Sequence, residues 1–257
     1  MIPERYQNEI GLHIIGNMLG IDNYPLILAI FGEPGMGKTF QLREHLKNLN
    51  IKIFSINSAD LESEYAGVPA KLLREQYINA SAEITSGQPS AIVIDDIDTT
   101  VGEWEKNTGT VNHQEIIAFL MHLADSPNYI ESIGYINRVP TFVTGNNFSL
   151  MYEPLRRPGR AKLFDWNPTE DEKIDIIVSI FKTINRGVAK KIVSKFPDKP
   201  ISYFSELYAT HCTNVLLKYA SNASINYMLQ DKRYRESLYN QYLNALNDID
   251  WYRVIFK

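Results

Sequence analysis

One device recurs along the chain: a short, continuous apolar run, then a stretch with helical spacing. "PLILAIF" (25–31), "IKIFSI" (51–56), "SAIVI" (90–94) and "VPTFVT" (139–144) are the runs. Uniformly apolar segments of this length suit strands covered on both faces, which belong inside parallel sheets. Parallel strands need crossovers, and helical patterns stand between the runs at 36–48, 70–85 and 113–124. An earlier helical pattern over 5–19 carries Ile10, Ile14, Ile15 and Met18. With "KLFDW" (162–166) added, the alternation predicts an α/β fold, a three-layer parallel sheet of about five strands.

After residue 166 the strand signals stop. "PTEDEKIDIIVSIF" opens on proline, offers Thr169 as a cap, places acids in its first turn and continues at helical spacing. The remainder reads as helices broken by "FPDKP" and "SNAS". A boundary is therefore expected near residue 167. Residues 1–166 are expected to form the α/β domain and 167–257 a small all-helical domain with a C-terminal tail.

The chemistry starts at the end of the first strand. "IFGEPGMGKTF" sets Gly32, Gly37, Lys38 and Thr39 in the pattern GxxxxGK[ST] between strand and helix. Glycines let backbone N–H groups curl around phosphates, and the helix directs its positive end at them. Lys38 would reach the β and γ phosphates and the Thr39 hydroxyl would ligate Mg²⁺, so ATP with Mg²⁺ is the expected ligand. The nucleotide-contacting stretch is Gly32, Glu33, Pro34, Gly35, Met36, Gly37, Lys38, Thr39 and Phe40. A glycine turn without function is the competing reading, and the strand–loop–helix context weighs against it.

Three further stretches join it. "AIVIDDID" ends a buried strand in acids; Asp95 would hold the metal through water and Asp96 would polarise the attacking water. A solvated strand end is the alternative. In "VTGNN", Asn146 is the candidate for orienting that water from the γ-phosphate side, against the reading of a simple turn. In "LRRPGRAKLF", Arg157 and Arg160 flank a Pro-Gly turn and could reach a neighbouring subunit's γ-phosphate; ordinary surface arginines are the alternative.

Composition removes several classes. A net charge of −4 disfavours a nucleic-acid binder of the bulk-electrostatic kind. The one cysteine, Cys212, excludes an internal disulfide framework, and five scattered histidines match no metal spacing. The absence of a long apolar run or a signal-like N-terminus leads to the expectation of a soluble, cytoplasmic protein with no membrane partner.

These elements, in this order and followed by a helical tail, resemble the AAA+ ATPases, with "VTGNN…LRRPGR" matching the second region of homology. The likeness extends to Rubisco activase through "PLILAIFGEPGMGKTFQ", "LESEYAGVPAKLLREQY", "TVNHQEIIAFLMHLADSPN", "RVPTFVTGNNFSLMYEPLRRPGR" and "KFPDKPISYFSEL", across residues 5 to 220. The resemblance implies Walker B roles for Asp95 and Asp96, sensor 1 for Asn146, and trans-acting arginines at 157 and 160. It implies a homo-oligomeric ring, a hexamer, that uses ATP to remodel a protein client. It also implies that Tyr65-Ala66-Gly67 faces the central pore and grips client peptide, against the reading that Tyr65 packs on its own subunit, and that Trp104 stands at a second pore loop, against the reading of a partly buried loop anchor. The chain departs from plant-type activases in having Asp95 where they carry asparagine, in the aromatic at Tyr65, and in lacking their separate N-terminal domain, which weighs against Rubisco itself as client. No sensor 2 arginine is evident, Arg186 being merely near the right region. The other readings are a nucleic-acid-associated ATPase of the helicase-loader kind and an ATP-gated scaffold with little turnover.

Overall fold

The apolar runs become the strands of one sheet in the computed structural model, which describes residues 1–57, 67–100, 111–217 and 222–256. Strands β1 (Ile27–Phe31), β2 (Lys52–Ile56), β3 (Ser90–Ile94), β6 (Thr141–Gly145) and β7 (Ala161–Asp165) are all parallel, in the order β2-β3-β6-β1-β7. Every residue of β1, β3 and β6 is buried, as their unbroken apolar runs require. The edge strands β2 and β7 are less completely buried, with Lys52, Ser55, Lys162 and Asp165 partly or fully exposed. Charge along an edge discourages pairing with another chain's strand.

Helices supply the crossovers. They are α1 (Glu4–Met18), α2 (Lys38–Asn48), α3 (Val68–Thr85), α4 (Ile97–Thr100) and α5 (Val111–Asp125). Ile27, Ala29 and Phe31 of β1 share a core with Leu73, Tyr77 and Ala80 of α3 and Ile116, Phe119, Leu120 and Leu123 of α5. Each fully buried large apolar side chain there contributes about 1.5–3 kcal/mol. A two-stranded hairpin, β4 (Tyr129–Ile130) with β5 (Gly134–Tyr135), lies between α5 and β6. The sequence pattern had not separated these two short strands from loop, because two residues carry no periodicity.

Register decides where function can sit. Phe31 of β1 stands opposite Gly145 of β6 and Asp165 of β7, and Ile94 of β3 opposite Val143. The segments leaving β1, β3 and β6 therefore emerge along one edge, the carboxyl edge where such sheets bind ligands.

Contacts divide the chain after Asn167. The second unit is helical: α6 (Glu170–Phe181), α7 (Arg186–Lys195), α8 (Ile201–Leu216), α9 (Asn222–Gln230), α10 (Lys232–Asn247) and α11 (Trp251–Phe256). Thr169 and Glu172 form a reciprocal capping box that starts α6. Ile177, Phe181, Ile192 and Phe204 build its core, and Trp251 and Ile255 of the C-terminal segment join it.

Candidate nucleotide-binding site

The loop between β1 and α2 is shaped by backbone that favours glycine. Gly35 and Gly37 have φ of 76° and 78°, in the left-handed region that side-chain-bearing residues avoid. At Gly32 a Cβ would fall 2.2 Å from the Trp166 carbonyl oxygen, so only glycine lets the loop leave β1 so close to β7. Glu33, Pro34 and Gly35 are exposed at the crest, while Met36 is buried beneath it. Phe40, in the first turn of α2, is 71% exposed.

Two aromatic residues tie this loop to the fold. The Trp166 indole N–H donates to the Met36 carbonyl at 2.9 Å, and the Tyr6 hydroxyl donates to the Lys38 carbonyl at 2.6 Å. Their rings meet edge-on at 4.7 Å, and the Arg5 guanidinium lies 4.8 Å from the Trp166 ring centre. Both residues were missed at the level of sequence. Trp166 lies 130 positions from its partner, and no local pattern announces such a contact.

Lys38 crosses the loop. Its ammonium donates to the Gly32 and Glu33 carbonyls at 2.7 and 2.9 Å and to Asn146 Oδ1 at 3.1 Å. Burial lowers its pKa from the usual lysine value, and the charges of Asp96 and Asp98 oppose that shift. Thr39 Oγ1 lies 3.2 Å from the Thr144 hydroxyl, which donates to Asp95 Oδ1 at 3.3 Å and accepts from the Asp96 N–H at 3.4 Å. Thr144 thus joins the threonine of the loop to the acidic pair. On its other side Asp95 is ion-paired to Arg43, which also donates to Ser55 Oγ at 2.8 Å.

Asp96 adopts φ of 50°, a left-handed conformation that aspartate tolerates better than most residues. Its pKa is raised, first by desolvation and then by the charges of Asp95 and Asp98, with Lys38 acting in the opposite direction. Asp98 is buried and accepts from the backbone N–H groups of Asn146 and Asn147 at 2.8 and 2.9 Å. Thr144, Arg43 and Asp98 were not singled out from sequence as site residues. The third acid of "DDID" and the threonine of "VTGNN" were visible there, but their partners were not.

Hard oxygen donors at Thr39 and Asp95, cross-linked through Thr144, fit a hydrated divalent cation of the magnesium kind. The glycine loop with its lysine fits a polyphosphate.

The remaining sequence candidates are not gathered into this network. Arg160 forms a two-pronged pair with Asp125 of its own chain, at 2.7 and 2.6 Å, and its third nitrogen donates to the Pro154 carbonyl at 2.9 Å. Arg157 is exposed and has no side-chain hydrogen bond or ion pair to any described residue. Gly67 starts α3 in a left-handed conformation, with φ of 82°. Tyr65, Ala66 and Trp104 lie outside the described residues. In the helical unit Arg186 is ion-paired with Asp171 and Asp175.

A glycine loop, a lysine reaching across it and an adjoining acidic pair, all at one sheet edge, define a nucleotide-phosphate-binding α/β protein. Comparison with known families narrows the class. Residues 28–167 match the ATPase family associated with various cellular activities (AAA), and the chain belongs to that family. It is 36% identical over 234 residues to ribulose bisphosphate carboxylase/oxygenase activase 1, chloroplastic, of Nicotiana tabacum, covering 87% of this chain and 53% of the relative. It is 35% identical over 235 residues to the chloroplastic activase of Spinacia oleracea, covering 88% of this chain and 50% of the relative. The corresponding protein of Oryza sativa subsp. japonica is 36% identical over 234 residues, 87% of this chain and 50% of the relative. The chain spans about half the length of these relatives. Among the described residues no helix is long and apolar enough to cross a membrane.

Proposed function

We propose that the chain hydrolyses ATP with Mg²⁺ as one protomer of a ring, a hexamer, and that turnover drives the remodelling of a protein client. The observation that carries the reading is the continuous network Lys38–Asn146 and Thr39–Thr144–Asp95, built from three separate strand ends. Gly32 to Phe40 cradle the phosphates, and Lys38 turns from the loop carbonyls to the β and γ phosphates. Thr39 and Asp95 hold Mg²⁺, which would neutralise charge on the transferring phosphate. Asp96, its basicity raised by desolvation and then by its acidic neighbours, orients and polarises the attacking water, with Asn146 on the other side. Arg157 and Arg160 complete the site of an adjacent protomer.

The client is a protein, in keeping with relatives named as activases of ribulose bisphosphate carboxylase/oxygenase. Tyr65, Ala66 and Gly67 supply the contact, and Rubisco is one candidate client. Lys38→Ala is expected to abolish Mg²⁺-dependent ATP turnover in a phosphate-release assay; turnover kept within about threefold would end the reading. Tyr65→Ala should leave ATP turnover intact and stop remodelling of a trapped client. ATP turnover that rises only on addition of DNA would instead favour a nucleic-acid-associated ATPase.

A further inference from the structure

We propose that Asp98 is the positioning residue of the site: its carboxylate clamps the backbone after β6 and so aims Asn146. This deepens the ATPase reading and rests on Asn146 acting there.

At Gly145, opposite Phe31, the register of β6 with β1 ends. The next two backbone N–H groups, of Asn146 and Asn147, both donate to Asp98 Oδ2, at 2.8 and 2.9 Å. One ionised oxygen taking two successive amide protons is a strong arrangement, because each bond is charge-assisted. Asp98 is only 9% exposed, so water competes poorly for it.

Neighbouring residues are suited to the clamp. The left-handed turn at Asp96 redirects the chain into α4, the short helix that carries Asp98. A Cβ on Gly145 would stand 2.8 Å from Asp98 Oδ1 and 2.4 Å from the Phe31 ring. Glycine at that position is what lets the carboxylate come so near. Beyond the clamp, Asn146 Oδ1 accepts from Lys38. A chain of bonds therefore runs from Asp98 through the backbone of Asn146 to the lysine of the phosphate loop. Asp95 is engaged differently, by Arg43 and Thr144, while Asp98 holds the loop after β6.

The arrangement makes a specific demand. Asp98 supplies an acceptor for two N–H groups, and its positioning effect passes through Asn146, apart from the charge it also exerts on Lys38 and Asp96. Neither ATP affinity nor the loop around Lys38 depends on it directly.

The test uses the full chain with Asp98→Ala, Asp98→Asn, Asn146→Ala and the double alanine variant. Turnover, KM for MgATP, thermal melting and amide hydrogen exchange over residues 145–150 are read for each. Asp98→Ala should lower kcat about 10-fold or more, with KM within about twofold, as expected when a water-orienting group is misplaced. Asp98→Asn, which keeps one acceptor oxygen, should restore kcat to within about threefold of the unmutated chain. The double variant should be no slower than Asn146→Ala, because two groups acting as one unit do not add. Exchange at 146 and 147 should speed up in Asp98→Ala without any nucleotide.

Multiplicative losses, a normal kcat in Asp98→Ala, or a loss confined to KM would overturn the proposal. Should the alanine variant fail to fold, Asp98→Asn decides: a loss about as large as that of Asn146→Ala would show that charge, not acceptance of N–H groups, is what Asp98 supplies. If the unmutated chain turns over no ATP, the ATPase reading falls by itself. Exchange then still judges the clamp, which unchanged protection at 146 and 147 in the alanine variant would refute.

Discussion

Thr144→Val probes the site with almost no change of shape. Valine replaces the hydroxyl with a methyl group, so the buried end of β6 stays filled. Three contacts are lost together: Thr39 Oγ1 at 3.2 Å, Asp95 Oδ1 at 3.3 Å and the Asp96 N–H at 3.4 Å. All three are long, so each is assigned the low end of the net range, about 0.5 kcal/mol. Leaving the Asp96 N–H without its acceptor adds about 1 kcal/mol. The folded protein should therefore lose about 2.5 kcal/mol, measurable as a shift in urea midpoint at constant slope. The same hydroxyl holds Thr39 against Asp95, the two proposed magnesium ligands. If the magnesium-loaded state loses about 1.4 kcal/mol more than the free folded protein does, half-saturation of ATP turnover by Mg²⁺ rises about tenfold. A stability change under about 0.5 kcal/mol, with the magnesium dependence unaltered, would show that the long contacts do not bind the site together.

Other outcomes follow from single residues. Gly32→Ala should cost more than about 2 kcal/mol and weaken nucleotide binding, since its Cβ meets a backbone oxygen at 2.2 Å and no side-chain rotation can relieve that; a nucleotide titration alongside thermal melting checks both. His13 is buried between the Leu26 and Thr141 carbonyls, and burial brings its pKa down to about 3. Its neutral form is the folded one, so the unfolded chain gains a proton first. Stability should fall as pH drops below 6.5, the ordinary histidine value, and continue falling toward about 3, by up to about 1.4 kcal/mol per pH unit. Chemical denaturation at several pH values reads the slope, which should flatten in His13→Gln. Arg157→Ala should leave the melting temperature unchanged while lowering turnover in the assembled state, whereas Arg160→Ala should also lower stability by up to about 1 kcal/mol, because of the two only Arg160 has a partner among the described residues. Equal melting losses in the two variants would contradict that distinction.

The parallel sheet was legible because burial on both faces leaves an unmistakable trace: "LILAIF", "SAIVI" and "PTFVT" carry no polar residue except Ser90 and the threonines. The phosphate loop was legible because its backbone shape needs glycine at fixed offsets from Lys38. The site's supports were hidden for a physical reason as well. Tyr6 and Trp166 look like ordinary aromatic core residues, and their value lies in where one hydroxyl and one N–H point. That direction is set only when α1 and β7 arrive beside the loop from opposite ends of the α/β unit. The same holds for Asp98, whose spacing after Asp95 is visible but whose partners are backbone groups 48 and 49 positions away.

The two arginines show how far similar sequence surroundings can diverge. Both flank the turn at Pro158-Gly159, and Gly159 has the left-handed φ of 93° that such a turn requires. Arg160 falls beside the end of α5, where Asp125 matches its planar fork with two parallel bonds and the Pro154 carbonyl takes a third. To reach a phosphate it would have to exchange all three. Arg157, on the outer side of the turn, has no such bond to break. If guanidinium groups from this turn complete a neighbour's site, their readiness differs: Arg157 can respond to the approach of a phosphate directly, while Arg160 must first be drawn from a carboxylate half exposed to water. A partly exposed ion pair is weak enough for that exchange, at about 1 kcal/mol or less. The two residues therefore suit successive roles, Arg157 in first contact and Arg160 in a closure that releases Asp125.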